Sequence, residues 1–227
     1  IAGGAPMTQY GKWLTKSGLV DYAVLSEGEE VLADIVKGKY NKGVITTRQI
    51  NNLDAIPFPD YEGLDITQYV AGSPVGDQVR DKNYKKRNEL ALIGSRGCVR
   101  KCTFCDVEAY WPKFRWRSAQ NIFDEMMHYY NHHNMDRFIF YDSLVNGNSK
   151  QFEDLLDLII EAGSPFKNIS GLAIFKRTPE RVFEKMKKAN WRTMVVGVES
   201  FSEEVRDHMR KKFSNEIMDE NLKWYKK

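Results

Sequence analysis

Three cysteines stand close together, at Cys98, Cys102 and Cys105, and the chain contains no others. Thiolates at this spacing are soft metal ligands, and with no cysteine elsewhere to pair with, a disulfide framework is not indicated. A cubane iron–sulfur cluster is ordinarily closed by four thiolates, so three leave one iron without a protein ligand and open to a small molecule. Gly97, directly before Cys98, permits the tight backbone approach that such a compact loop requires. The alternative is a structural zinc site completed by a histidine. His128, His132, His133 and His208 all fall outside the loop, which favours the cluster.

Such a loop needs a scaffold that carries it to one edge of a sheet. From Leu90 onward the pattern alternates strand and helix. Apolar runs predict strands at 90–93, 138–141, 172–175 and 194–198. Ser118 reads as the N-cap of a helix with Ile122, Met126 and Tyr129 on one face. A second helix begins near Ser149 and presents Phe152, Leu155, Leu156 and Ile159 before Gly163 and Pro165 stop it. Thr178 and Pro179 open a third, with Val182, Phe183 and Met186 inward, and Ser202 opens a fourth. Four successive strand–helix units predict an α/β fold with a parallel sheet, either doubly wound or part of a barrel. Catalytic groups then belong at the carboxyl ends of the strands, where the cysteine loop lies.

The segment from Gly97 to Cys105, with Phe104 immediately before the last cysteine, resembles the C-x3-C-x2-C motif of the radical S-adenosylmethionine superfamily. The resemblance implies a 4Fe-4S cluster on Cys98, Cys102 and Cys105, with S-adenosylmethionine chelating the open iron. It also implies an electron from the reduced cluster, a 5′-deoxyadenosyl radical, and a reductant such as flavodoxin or ferredoxin. Gly197-Val198-Glu199-Ser200 resembles the G-x-E-S segment that holds the cofactor in this superfamily, which makes Glu199 and Ser200 cofactor-binding candidates. Phe104, Arg177 after the third strand, and Asp142 and Ser143 after the second are the remaining candidates. Without the resemblance, Glu199 is a helix-entry acid and Arg177 a solvated surface group.

Residues 1–50 read as the tail of an α/β unit, 51–86 as a turn-rich linker, and 87–227 as the radical core domain. Gly3-Gly4-Ala5-Pro6, the segment from Asp21 to Glu30 and Ile56-Pro57-Phe58-Pro59 resemble the closing part of a Rossmann-like cobalamin-binding domain and its linker. Two departures accompany this. Ser26-Glu27-Gly28-Glu29 stands where relatives have G-E-G-E, and no D-x-H-x-x-G segment supplies an axial histidine. Either that segment lies upstream of Ile1 or the unit is a scaffold that binds no corrinoid, so cobalamin stays open as a third cofactor. The expected fold is a partial (βα)6-type barrel behind this remnant. Because the sequence begins at Ile1 and stops at Lys227 within a helical pattern, further chain is expected at both ends.

Composition constrains the partners less. The 227 residues carry 34 Lys and Arg against 31 Asp and Glu, a net charge of +3 that does not by itself argue for nucleic acid. Basic and aromatic residues mix at 82–87, which includes Tyr84, and at 113–117, which includes Phe114 and Trp116. Short mixed clusters of this kind are usually solvated loop faces, so RNA is not the expected partner. No apolar run approaches a bilayer span, and three unpaired cysteines suit a reducing, cytoplasmic setting. The function read here is a radical enzyme catalysing methyl transfer, cyclisation or another rearrangement. The rival is a non-catalytic iron–sulfur or zinc module, with or without RNA binding.

Overall fold

The computed structural model describes residues 1–64, 66 and 88–225. Most of the expected linker, and the basic cluster at 82–87, lie outside the described residues.

The amino-terminal unit runs α1 (Pro6–Lys16), β1 (Tyr22–Leu25), α2 (Glu29–Val36) and β2 (Gly43–Thr46), with the two strands parallel. Val24, Val31, Ile35 and Ile45 form its small core. Gly11 lets α1 lie on β1, because a Cβ there would sit 3.1 Å from that of Ala23. Ser26 follows β1 with φ +72°, a left-handed conformation that favours glycine. That accounts physically for the glycine expected at this position in G-E-G-E.

The segment after β2 is held against the second unit. Asp54 accepts the Ser118 N–H at 2.8 Å, and the Pro59 carbonyl accepts the Tyr129 hydroxyl at 2.6 Å. The second unit then runs β3 (Glu89–Leu92), β4 (Ser95–Arg96), α3 (Val107–Tyr110), β5 (Arg115–Trp116), α4 (Ala119–His133), β6 (Arg137–Phe140), α5 (Ser149–Glu161), β7 (Asn168–Ala173), α6 (Glu180–Lys188), β8 (Trp191–Val196), α7 (Glu203–His208) and α8 (Asn215–Tyr225).

The main sheet is parallel in the order β3-β6-β7-β8, so sequence neighbours are spatial neighbours and no strand reverses the order. Helix α4 packs on α5 and α5 on α6, which places the crossovers on one side. A doubly wound sheet would split them between two faces; this is the winding of a barrel. The core lies between strands and helices, with Phe138, Phe140, Ile169 and Trp191 meeting Ile122, Met126, Leu156 and Ile159. Full burial of each such side chain stabilises by about 1.5–3 kcal/mol. On the other face of the sheet Ala91, Leu172 and Thr193 are exposed. Among the described residues no helix is long and apolar enough to cross a membrane.

Ser118 caps α4 by accepting the Asn121 N–H, and Ser202 caps α7 by accepting that of Val205, as the sequence indicates. Helix α5 starts at Ser149, as the sequence indicates, with Asn148 as its cap accepting the N–H groups of Lys150 and Gln151. The third and fourth strands start earlier than the apolar runs that predict them. At Gly171 a Cβ would lie 2.8 Å from Val145 Cγ1 and 3.1 Å from Phe140 Cβ, so this part of β7 is small because its neighbours are large.

The turn from β3 into β4 is anchored from below. Asp142, 2% exposed, accepts the Gly94 N–H at 3.1 Å. Burial pushes its carboxyl up to about 6, outweighing the hydrogen bonds from Ser95 and from the Gly94 backbone. In that case the native chain binds the proton more tightly than the unfolded chain, whose carboxyl titrates near 3.8, and Asp142 costs stability as pH rises between the two values. The Asp142→Asn variant should therefore gain on wild type by on the order of 3 kcal/mol between pH 4 and 7, at about 1.4 kcal/mol per pH unit of separation. Urea midpoints across that range measure it, and a difference that does not change with pH would contradict it.

Candidate cluster and cofactor site

The cysteine loop is the long excursion of a hairpin whose legs are β4 and β5, with Ser95 paired to Trp116 and Arg96 to Arg115. Its neck closes at Gly97, where φ is +89° and a Cβ would stand 2.5 Å from the Lys113 carbonyl oxygen. Only glycine fits there, because any side chain would push the two legs apart. Cys98 and Cys102 are half-buried, Cys105 is exposed, and all three are reduced. The Arg100 N–H donates to Cys98 Sγ at 3.3 Å, and the Cys105 N–H donates to the Cys102 carbonyl at 3.1 Å.

The three thiols feel one another. Burial pushes the Cys98 thiol up, and the neighbouring Cys102 and Cys105 add to that. Burial likewise raises Cys102, while the positive charge of Lys211 acts in the opposite direction. Among the described residues no three His, Cys, Asp or Glu side chains close around a single ion. A cubane makes a different demand, since each of its cysteines takes a separate iron at a separate corner. Three reduced, mutually close thiols on one tight loop fit that group.

The loop meets the far end of the sheet. The Thr103 N–H donates to the Met209 carbonyl at 3.0 Å, which brings the segment after α7 onto the cysteines. There Lys211 Nζ sits 2.5 Å from Glu199 Oε1 and 5.8 Å from the centre of the Phe104 ring. A Cβ on Gly197 would collide with both the Glu199 carboxylate and the Lys211 ammonium, so this glycine makes room for the pair. Glu199 has φ +63°. Its loop is fixed by Arg206, a fully buried arginine that donates to the carbonyls of Ser200 and Phe213 and to Asn215 Oδ1, with its guanidinium 4.4 Å from the Phe213 ring centre. Glu199, Phe104, Lys211 and Cys102 thus share one patch, and Ser200 Oγ is engaged by the Ser202 N–H at 3.1 Å.

The other candidates lie elsewhere. Arg177 is 71% exposed and faces Glu216 at 3.6 Å. Its neighbour Lys176 turns inward, donating to Ser149 Oγ at 2.7 Å and to the Asn146 carbonyl, and burial together with the charge of Arg100 lowers its pKa. Asp142 is occupied in holding Gly94, and Ser143 beside it is half-buried. In the basic cluster at 113–117, Arg115 is paired with Glu27 and Arg117 with Glu125, while Phe114 and Trp116 stack at 5.6 Å. Those arginines are not free to meet phosphate. Lys176, Arg206 and Lys211 carry no motif of their own. For Lys211, the only sequence signal was a basic run following the G-x-E-S segment.

The family model of the Radical SAM superfamily matches residues 92–227. The anaerobic magnesium-protoporphyrin IX monomethyl ester cyclase of Synechocystis sp. is 22% identical over 225 residues, spanning 93% of this chain and 44% of the relative. The cytidylyl-2-hydroxyethylphosphonate methyltransferase of Streptomyces wedmorensis is 27% identical over 167 residues, 70% of this chain and 29% of the relative. Among solved structures, the cobalamin-dependent S-adenosylmethionine radical enzyme OxsB, with aqua-cobalamin and S-adenosylmethionine bound, aligns with a TM-score of 0.66. That alignment has 19% identity and covers 95% of this chain and 33% of that one. The radical S-adenosylmethionine methyltransferase TsrM from Kitasatospora setae, with cobalamin and a [4Fe-4S] cluster bound, aligns at 0.69 with 14% identity, covering 98% and 46%. The chain therefore spans less than half the length of these proteins, and at such identities the two structures show a shared fold. With the family model covering most of the chain and the cysteine loop at the carboxyl edge of a barrel-wound sheet, the chain belongs to the Radical SAM superfamily.

Proposed function

We propose that this chain carries the S-adenosylmethionine-cleaving site of a radical enzyme. The observation that supports it most is the meeting of three reduced thiols with one paired carboxylate and ammonium at the rim of the sheet. Cys98, Cys102 and Cys105 would hold three irons of a 4Fe-4S cluster. When bound, the reduced cluster supplies one electron that breaks the sulfonium bond of S-adenosylmethionine, yielding methionine and a 5′-deoxyadenosyl radical.

The residues of the chain bind and orient. The amino nitrogen of S-adenosylmethionine could donate its N–H groups to Glu199 and the carboxylate could accept from Lys211, while a lone pair of each stays free for the open iron. Phe104 offers an exposed ring face beside them. Arg206 keeps the loop of Glu199 and the segment of Lys211 in register, so that neither charge has to be ordered when the cofactor arrives.

Relatives of both kinds, a cyclase and a methyltransferase, and two structural neighbours that bind cobalamin leave cobalamin-supported methyl transfer and cyclisation as the two candidate overall reactions. At Gly3 a Cβ would meet nothing within 4 Å, so the amino-terminal unit presents accessible backbone there. It contains neither histidine nor cysteine, however, and no step is assigned to a corrinoid. A low-potential donor such as flavodoxin or ferredoxin and a cytoplasmic setting complete the proposal.

Anaerobic reconstitution with iron and sulfide should load wild type, and the reduced protein should convert S-adenosylmethionine to 5′-deoxyadenosine. Cys102→Ala should lose both. Purification with stoichiometric zinc and no iron uptake would contradict the proposal. Lys211→Met should weaken S-adenosylmethionine binding to the loaded protein about tenfold to a hundredfold, the value of one charge-assisted hydrogen bond. Calorimetric titration measures it, and unchanged affinity would remove Lys211 from the site.

A further inference from the structure

The hairpin that carries the cysteine loop has a problem at its base. Arg96 and Arg115 are register partners across its two short strands, and like charges placed directly opposite each other drive strands apart. Both side chains are largely withdrawn from water, at 15% and 7% exposure, so solvent does little to screen them. The counter-charge comes from outside the barrel. Glu27, in the turn between β1 and α2, accepts from Arg115 Nη1 at 2.9 Å and Nη2 at 2.7 Å, and its Oε1 lies 3.0 Å from Arg96 Nη1. Glu29 takes the other end of Arg96, and the Ile50 N–H donates to Glu27 at 2.5 Å.

We infer that Glu27 is a positioning residue for the cysteine loop, supplied by the amino-terminal α/β unit: it holds together the two arginines on which the neck of the loop closes. Arg96 directly precedes Gly97 and Cys98, and Arg115 follows Lys113 and Phe114, so the Gly97–Lys113 approach rests on this pair staying shut. Without the Glu27 carboxylate, Arg115 would keep no counter-charge among the described residues and Arg96 only Glu29, the two guanidinium groups would repel across the neck, the neck would open, and Cys98 would lose its relation to Cys102 and Cys105. In this arrangement the amino-terminal unit is part of what shapes the cluster site. The inference rests on the cluster reading only for its consequence, since closure of the loop is a property of the apoprotein.

The test is the alkylation rate of Cys98 by iodoacetamide in the anaerobic apoprotein, resolved by peptide mass spectrometry, with hydrogen exchange of 95–116 as a second readout. Glu27→Gln keeps the shape and removes the charge, and should speed Cys98 alkylation by about tenfold or more. Combining it with Arg96→Gln removes the repulsion and should restore most of the protection, a non-additivity that loss of inter-unit packing would not produce. Glu27→Asp, which keeps the charge on a shorter arm, should fall between wild type and Glu27→Gln, and it serves if Glu27→Gln does not fold. Asp21→Asn, in an exposed ion pair of the same unit, should change nothing. Wild-type alkylation in Glu27→Gln or Glu27→Asp, or no recovery in the double variant, would overturn the inference. Iron uptake should fall in parallel with loop opening. A wild type that takes up no iron would overturn the cluster reading while the alkylation comparison still decided this one.

Discussion

A single buried carboxylate carries an unusual share of this structure. Burial raises the pKa of Glu27, but hydrogen bonds from Arg115, the Ile50 backbone and Arg96 outweigh it, and the net shift is downward, so the group is held ionised among its partners. Its partners lie in the segment leaving β2 and on both legs of the cysteine hairpin. Arg115 also donates to the Ile50 carbonyl, which ties the hairpin to that segment a second time. Placing Glu27 there requires the chain to turn sharply at Ser26 in a left-handed conformation, at roughly 1–2 kcal/mol for a residue other than glycine. A turn that strained persists because the ionic network on its far side fixes where it must end.

The candidate site is assembled from two pieces that meet at the rim of the sheet. One is a loop of soft thiol donors closed at its neck by Gly97; the other is the turn after β8, with opposite charges at Glu199 and Lys211. The barrel winding is what lets them meet. β3 and β8 are the outer strands of the sheet, and the segments that follow them reach across its carboxyl edge to meet at the Thr103–Met209 hydrogen bond. Arg206 has no chemistry to offer from inside the protein, yet without its bonds to Ser200, Phe213 and Asn215 the second piece would have no fixed shape.

The sequence made the three clustered thiols legible because cysteine is scarce and its spacing specific. The strand–helix alternation was legible because the helices carry strong apolar faces and recognisable caps at Ser118 and Ser202. What it hid has physical causes. The strands β4 and β5 are two residues each, too short for a period to declare itself. β7 was displaced toward the apolar run at 172–175 because its middle is Ser170 and Gly171, small where Phe140 and Val145 press in. Lys176 and Arg177 are adjacent bases, and only the twist of the chain leaving β7 decides which one turns inward. Glu27 and Glu29 could be read as a motif, but their arginine partners lie far along the chain, and no local pattern connects them.

The most direct measurement is electron–nuclear double resonance on the reconstituted, reduced protein mixed with S-adenosylmethionine labelled with nitrogen-15 at its amino group. A resolved coupling between the label and the cluster is expected, because three cysteines leave one iron for the cofactor to chelate. A loaded cluster that shows no such coupling, with a spectrum unchanged by the cofactor, would contradict the open iron and with it the radical chemistry.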